Sequence, residues 1–162
     1  MDQCFPPVIR PDTRLLVLGS LPGAVSLAAG RYYANPRNLF WRLMGEATGR
    51  DLEALDYEAR LAALLDAGVG LWDTVAEATR PGSLDADIRL HRPSDLAALV
   101  ATLPALQAIA FNGRTSALIG RAALGGGAEL ALIDLPSSSP AYASLPFPRK
   151  AEAWAALSAF LR

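Results

Sequence analysis

The chain has 162 residues, a formal net charge of −1, 52% hydrophobic residues and 19% charged residues. That balance excludes an intrinsically disordered chain and supplies enough apolar material for one core. It also excludes a uniformly basic nucleic-acid binder and leaves room only for a local patch, such as the Arg-rich stretch holding Arg10, Arg14, Arg31, Arg37 and Arg42.

No apolar run approaches the roughly 18 residues that cross a bilayer. The start, Met1–Pro7, lacks a basic segment followed by an apolar one, so a cytoplasmic protein is expected. The lone cysteine, Cys4, makes neither an internal disulfide nor a four-thiolate iron–sulfur site. His, Cys and carboxylates form no ligand cluster, so neither metal nor cofactor is expected.

In chain order, Arg14–Gly19 is a short apolar run ending in glycine, the form of a buried parallel strand. Ser20–Arg37 reads as a long Gly-, Pro- and Ser-rich connection, which a compact domain seldom keeps without a use. A helix is expected from about Asn38, with Phe40, Trp41, Leu43 and Met44 inward, and a second over Tyr57–Ala67 with Leu61, Leu64 and Leu65 inward. Val69–Val75 reads as a strand, Thr79–Asp87 as a polar loop also leading toward the surface histidine His91, and Ser94 as the cap of a helix through Val100. Gln107–Phe111 and Glu129–Ile133 are strands around a helix over Arg114–Ala123. The run Gly125–Gly127 is a loop tip, and Lys150–Leu161 is a closing helix. This alternation predicts one domain over residues 1–162, an α/β/α three-layer sandwich around a mainly parallel four-stranded sheet.

Ligands of such sheets bind beyond the carboxyl ends of the strands. Those ends carry Gly19-Ser20-Leu21-Pro22-Gly23, Asp73, Asn112-Gly113 and Leu135–Pro140. The glycine turn is neither a dinucleotide fingerprint nor a phosphate loop, because the spacing and the Lys-Ser/Thr end are missing. In Tyr32-Tyr33-Ala34-Asn35-Pro36-Arg37-Asn38-Leu39-Phe40-Trp41, adjacent tyrosines before a proline do not both face a core. One is left to stack on a flat ligand, a contact worth roughly 1–3 kcal/mol per base. Asn38 is either a helix cap or a cleft residue, and Asn112 either a turn or cap residue or a cleft residue.

Together, Gly19–Gly23, Tyr32–Trp41, Gly70–Asp73 with Arg80–Asp85, and Leu135–Ala141 resemble the uracil-DNA glycosylase superfamily, nearest to its hypoxanthine (deoxyinosine) glycosylases. The resemblance runs through nearly the whole chain. It implies an enzyme that hydrolyses the N-glycosidic bond of a flipped-out deaminated base in damaged DNA; a monofunctional enzyme without a lyase step is expected because Lys150 is the only lysine, and a monomer with no membrane partner is expected. It puts catalysis on Asn38, because Leu21 stands where many members carry a catalytic Asn or Asp. Where uracil enzymes often carry a base-contacting histidine, this chain has Ser137-Ser138-Ser139.

On this reading Tyr33 stacks on the base, backbone N–H groups of Ser20, Leu21 and Gly23 border it, and Asp73 reads its edge. Ser137, Ser138, Ser139 and Pro140 grip phosphate or wedge the duplex. Asp73 instead fastening the loop that holds Arg80 remains open. The alternatives are a uracil or mismatch-specific glycosylase of the same fold, a non-catalytic nucleotide- or phosphate-binding module, and an inactive relative that only binds DNA.

Overall fold

A computed structural model of the chain describes residues 2–80, 83–85, 89–125 and 129–162. Pro81 and Gly82 of the expected loop, its end at Asp87, and Gly126-Gly127 of the glycine run lie outside the described residues.

A short strand β1 (Asp2–Gln3) precedes β2 (Leu15–Gly19), α1 (Ala24–Ala29), α2 (Phe40–Thr48) and α3 (Tyr57–Asp66). Then come β3 (Val69–Asp73), β4 (Val75–Thr79), β5 (Arg89–Pro93), α4 (Leu96–Ala101) and β6 (Ala108–Asn112). The chain ends with α5 (Arg114–Leu124), β7 (Ala131–Leu135), α6 (Phe147–Trp154) and a 3-10 turn over Ala155–Phe160. Strands β3-β2-β6-β7 form the parallel four-stranded sheet, with Gly19 paired to Asp73 and Asn112 to Leu135 at their carboxyl ends.

Alternation along the strands divides the core between two faces. Leu15, Val17, Val69, Leu71, Ala108 and Ala110 pack under Phe40, Leu43, Met44, Leu64 and Trp154 of α2, α3 and α6. Leu16, Leu18, Ile109 and Phe111 face Leu96 and Ala117 of α4 and α5. Burying each of the larger aliphatic and aromatic side chains among them stabilises the fold by about 1.5–3 kcal/mol. The result is the expected three-layer sandwich.

Departures from the sequence reading have local causes. The expected strand through Val75 breaks at Thr74. There the chain leaves the parallel sheet and enters a separate antiparallel ribbon, β1-β4-β5. Strand β5 has the sequence RLHRP, without alternating apolar residues and ending in proline, so it reads as loop. His91 is exposed there. The cap of α4 is Asp95, whose carboxylate accepts from the Ala98 N–H at 3.1 Å, while Ser94 is buried. A short helix, α1, interrupts the long connection. The last helix starts at Phe147, because Pro148 fits a first helical turn, where no N–H is needed. Strand β7 runs two residues later than expected.

Candidate active site

A cleft of about 600 Å³ opens at the carboxyl ends of the parallel strands. Every residue expected at the site borders it: Gly19–Gly23, Tyr33, Asn38, Asp73 and Ser137–Pro140. Segments as far apart in the chain as Gly19 and Tyr142 meet there because four strands end on one edge.

Tyr32 and Tyr33 both border the cleft but differ in setting. Tyr32 is core, 4% exposed, with its hydroxyl donating to the Pro6 carbonyl at 2.9 Å. Tyr33 alone among non-glycine described residues has a positive φ, 52°. That strained turn is held from several sides. The Trp41 indole donates to the Tyr33 carbonyl at 3.1 Å, and the Ala34 N–H donates to Ser26 Oγ at 3.0 Å. One ring face of Tyr33 lies flat on Phe40, centroids 3.8 Å apart and planes 3° apart. Phe40 and Trp41 are thus core residues that also set the tyrosine, leaving only its opposite face for a ligand.

Asn38 is partly buried at the cleft, just ahead of α2, and its Oδ1 accepts from the Phe40 N–H at 3.0 Å. The cap position itself falls to Leu39. The capping and cleft roles coexist. The bond to Phe40 fixes which way the amide points, and Oδ1 keeps a second lone pair. Nδ2 makes no hydrogen bond among the described residues.

The Gly19–Gly23 turn is fastened from behind. The Arg80 guanidinium is fully buried, donates to the Pro22 carbonyl, and lies 3.6 Å from Asp85 and 3.7 Å from Asp2. Ser83 Oγ accepts from the Ala24 N–H at 2.8 Å, serving the start of α1. The carboxylates paired with Arg80 are therefore Asp85 and Asp2, and Asp73 is not among them. No backbone acceptor among the described residues engages the N–H groups of Ser20, Leu21 or Gly23. Leu21 packs against Val75 and Ala78, so its side chain is structural while its backbone borders the cleft.

Asp73 is 4% exposed, and its Oδ2 has no hydrogen-bond partner among the described residues. Burial, helped by repulsion from Asp85 and opposed by Arg80, pushes its carboxyl up to about 7. Asp85 is also raised by burial, against the pull of Ser20 and Arg80. A point one bond above Gly19 Cα lies 2.6 Å from Asp73 Oδ1 and 3.1 Å from the Tyr33 hydroxyl. Only a residue without a side chain fits between them.

Ser138 departs from the expected phosphate grip. It is 1% exposed; its N–H donates to Asn112 Oδ1, its Oγ accepts from Asn112 Nδ2, both at 2.9 Å, and its carbonyl accepts from the Leu39 N–H at 3.0 Å. It staples the loop to β6 and to the start of α2. Ser137, Ser139 and Pro140 remain at the cleft surface. Asn112 was the residue least legible in the sequence; its one signal was a place at a strand end. Lys150, 1% exposed, donates to the Tyr142 carbonyl at 2.7 Å and is not part of the cleft lining. Among the described residues no three His, Cys, Asp or Glu side chains gather as for a metal, and no helix is long and apolar enough to cross a membrane.

The family model described as uracil DNA glycosylase superfamily matches residues 6–158. The chain is 42% identical to a hypoxanthine DNA glycosylase of Methanosarcina barkeri over 70% of this chain and 72% of that one. It is 40% identical to a protein of the same name from Methanosarcina acetivorans over 85% of each chain. A solution NMR structure from Methanosarcina acetivorans, described as a candidate uracil DNA glycosylase, superposes with a TM-score of 0.85. Its sequence identity is 37%, over 97% of this chain and 96% of that one.

Proposed function

The chain belongs to the uracil DNA glycosylase superfamily and is a DNA glycosylase, and from that premise we propose that it releases hypoxanthine by hydrolysing the N-glycosidic bond of a flipped-out deoxyinosine. The observation that carries the choice of base is Asp73, a buried carboxyl at the end of β3 beside the stacking tyrosine. An ionised carboxylate only accepts hydrogen bonds. Hypoxanthine offers N1–H to it, whereas adenine presents a lone pair at the same place. The names of the two relatives point to the same base.

The base enters the cleft after unstacking, at a cost of a few kcal/mol that is least for a mispaired base. Its plane rests on the free face of Tyr33. As the bond to the sugar lengthens, the base gains negative charge and the sugar positive charge. The N–H groups of Ser20, Leu21 and Gly23 supply donors on the base side; preorganised donors of this kind are worth about 2.7–4 kcal/mol each in comparable sites. Asn38 Oδ1, held by the Phe40 N–H, accepts a hydrogen bond from water and aims its oxygen at the sugar carbon. The water adds its oxygen to that carbon, the base departs with the bonding pair, and one proton is released. An amide is a poor base, so positioning rather than proton removal supplies the rate. Ser137, Ser139 and Pro140 hold the DNA backbone.

The test is strand scission by alkali after incubation with oligonucleotides carrying inosine, uracil, xanthine or ethenoadenine. Cleavage of inosine above the others supports the reading, and preferential cleavage of uracil replaces it.

A further inference from the structure

Three carbonyls of the Gly19–Gly23 turn are held, each by a different group. The Gly19 carbonyl accepts from the Thr74 N–H at 2.8 Å and the Ser20 carbonyl from the Val75 N–H at 2.9 Å, where the chain leaves β3. The Pro22 carbonyl accepts from Arg80 Nη2. A trans peptide is flat, with its C=O and N–H pointing opposite ways, and no peptide bond among the described residues is cis. Each held carbonyl therefore turns the next N–H away from its holder: Ser20 from Thr74, Leu21 from Val75 and Gly23 from Arg80. These are the same three N–H groups that no backbone acceptor among the described residues engages. Pro22 has no N–H to offer, and the Ala24 N–H is taken by Ser83 Oγ at 2.8 Å.

Two of the holders are neutral backbone groups, and the third is a charge. The Arg80 side chain is fully buried, and its Nε and Nη1 have no hydrogen-bond partner among the described residues. Asp85 and Asp2, at 3.6 and 3.7 Å, stand beyond hydrogen-bonding reach but offset the charge, which makes an arginine tolerable in the interior. A hydrogen bond from an ionised donor is about twice as strong as a neutral one. A peptide polarised at its oxygen in turn donates more strongly at its nitrogen.

We infer that Arg80 is a positioning residue for catalysis, which through the Pro22 carbonyl fixes the Gly23 N–H and strengthens it as a donor to the base as that base departs with negative charge. The inference rests on the base-side donor role of Ser20, Leu21 and Gly23 given above. It gives the buried guanidinium a use one peptide away from the cleft that Gly23 borders. Arginine suits this task because its charge does not titrate at any working pH.

The test compares single-turnover release of hypoxanthine and of 8-azahypoxanthine, an isostere that leaves more readily, by wild type, Arg80→Lys and Arg80→Met. Help given to a departing base matters most where the base leaves badly. Arg80→Met is expected to lose about ten- to a hundredfold on inosine, part of what a whole preorganised donor is worth, and several times less on the aza substrate. Arg80→Lys, which keeps a charged donor, falls between. An arginine that only holds the fold together lowers both substrates by one factor, and that result overturns the inference. If Arg80→Met does not fold, Arg80→Lys carries the same comparison. Wild type alone adds a further check, a scalar coupling between the Arg80 guanidinium nitrogen and the Pro22 carbonyl carbon, whose absence also overturns the inference. If wild type releases uracil rather than hypoxanthine, the comparison runs on uracil and 5-fluorouracil. Unequal losses there keep the role of Arg80, and only the proposed base falls.

Discussion

The Trp41 indole N–H and the Tyr33 carbonyl meet at 3.1 Å across the turn in which Tyr33 takes its positive φ. A non-glycine residue in that region costs of order 1–3 kcal/mol and persists only where surrounding contacts impose it. Trp41→Phe keeps an aromatic ring there but removes the donor. The expected outcome is a loss of about 1–2 kcal/mol of stability together with weaker inosine processing, read by thermal melts and single-turnover rates. Wild-type rates in a folded variant would show that the turn holds without this bond.

Asn38→Ala removes the amide proposed to hold the water, and excision should fall by about two orders of magnitude or more. The bond to the Phe40 N–H is lost as well, so a stability decrease of about 1 kcal/mol accompanies it. Single-turnover assays with saturating protein separate the two effects. Retained excision would remove Asn38 from the chemistry.

Asp73→Asn tests the base reader and also carries a sign that is easily misjudged. In the folded chain the carboxyl titrates near 7, against an ordinary value of 3.8. Between those values the native state keeps a proton that the unfolded chain has released, so wild-type stability falls as pH rises through that window, by up to a few kcal/mol. The Asn variant lacks this dependence and should melt higher than wild type at pH 8, with the difference vanishing toward pH 4. Inosine excision should move oppositely. In wild type it rises as the carboxyl ionises around pH 7, and in the variant it is low and flat. Equal rates on inosine DNA would refute the reading role.

Arg37 is exposed and borders the cleft, and on the proposed reading its guanidinium pairs with a duplex phosphate. Arg37→Ala should weaken DNA binding for damaged and undamaged duplexes alike and reduce the slope of log affinity against log salt by about one. A fluorescence anisotropy titration over several salt concentrations checks both.

The sandwich was legible because buried strands such as Leu15–Gly19 and Ala108–Asn112 are continuous apolar runs, and because strand ends of one parallel sheet share an edge. Asp73 was proposed for that reason, whereas Asn38 followed from the resemblance and Tyr33 from the two adjacent tyrosines before a proline. Strand β5 was not legible, since RLHRP pairs through its backbone and carries no alternating pattern. Nor was the inward turn of Ser138. Three serines in a row look alike in sequence, and only Asn112, far away in the chain, selects the middle one. The Arg80 clamp on Pro22 was hidden likewise, because a lone arginine after a strand ordinarily faces solvent.

Gly19 contributes nothing to the cleft but the space it leaves, and that space has no slack: a methyl there would sit 2.6 Å from Asp73 Oδ1 and 3.1 Å from the Tyr33 hydroxyl. The depth of the well is thus written as a missing atom, and enlarging residue 19 fills the well from below. Any drift of this enzyme toward another lesion must therefore come from exchanging the groups on the walls, while the floor stays fixed.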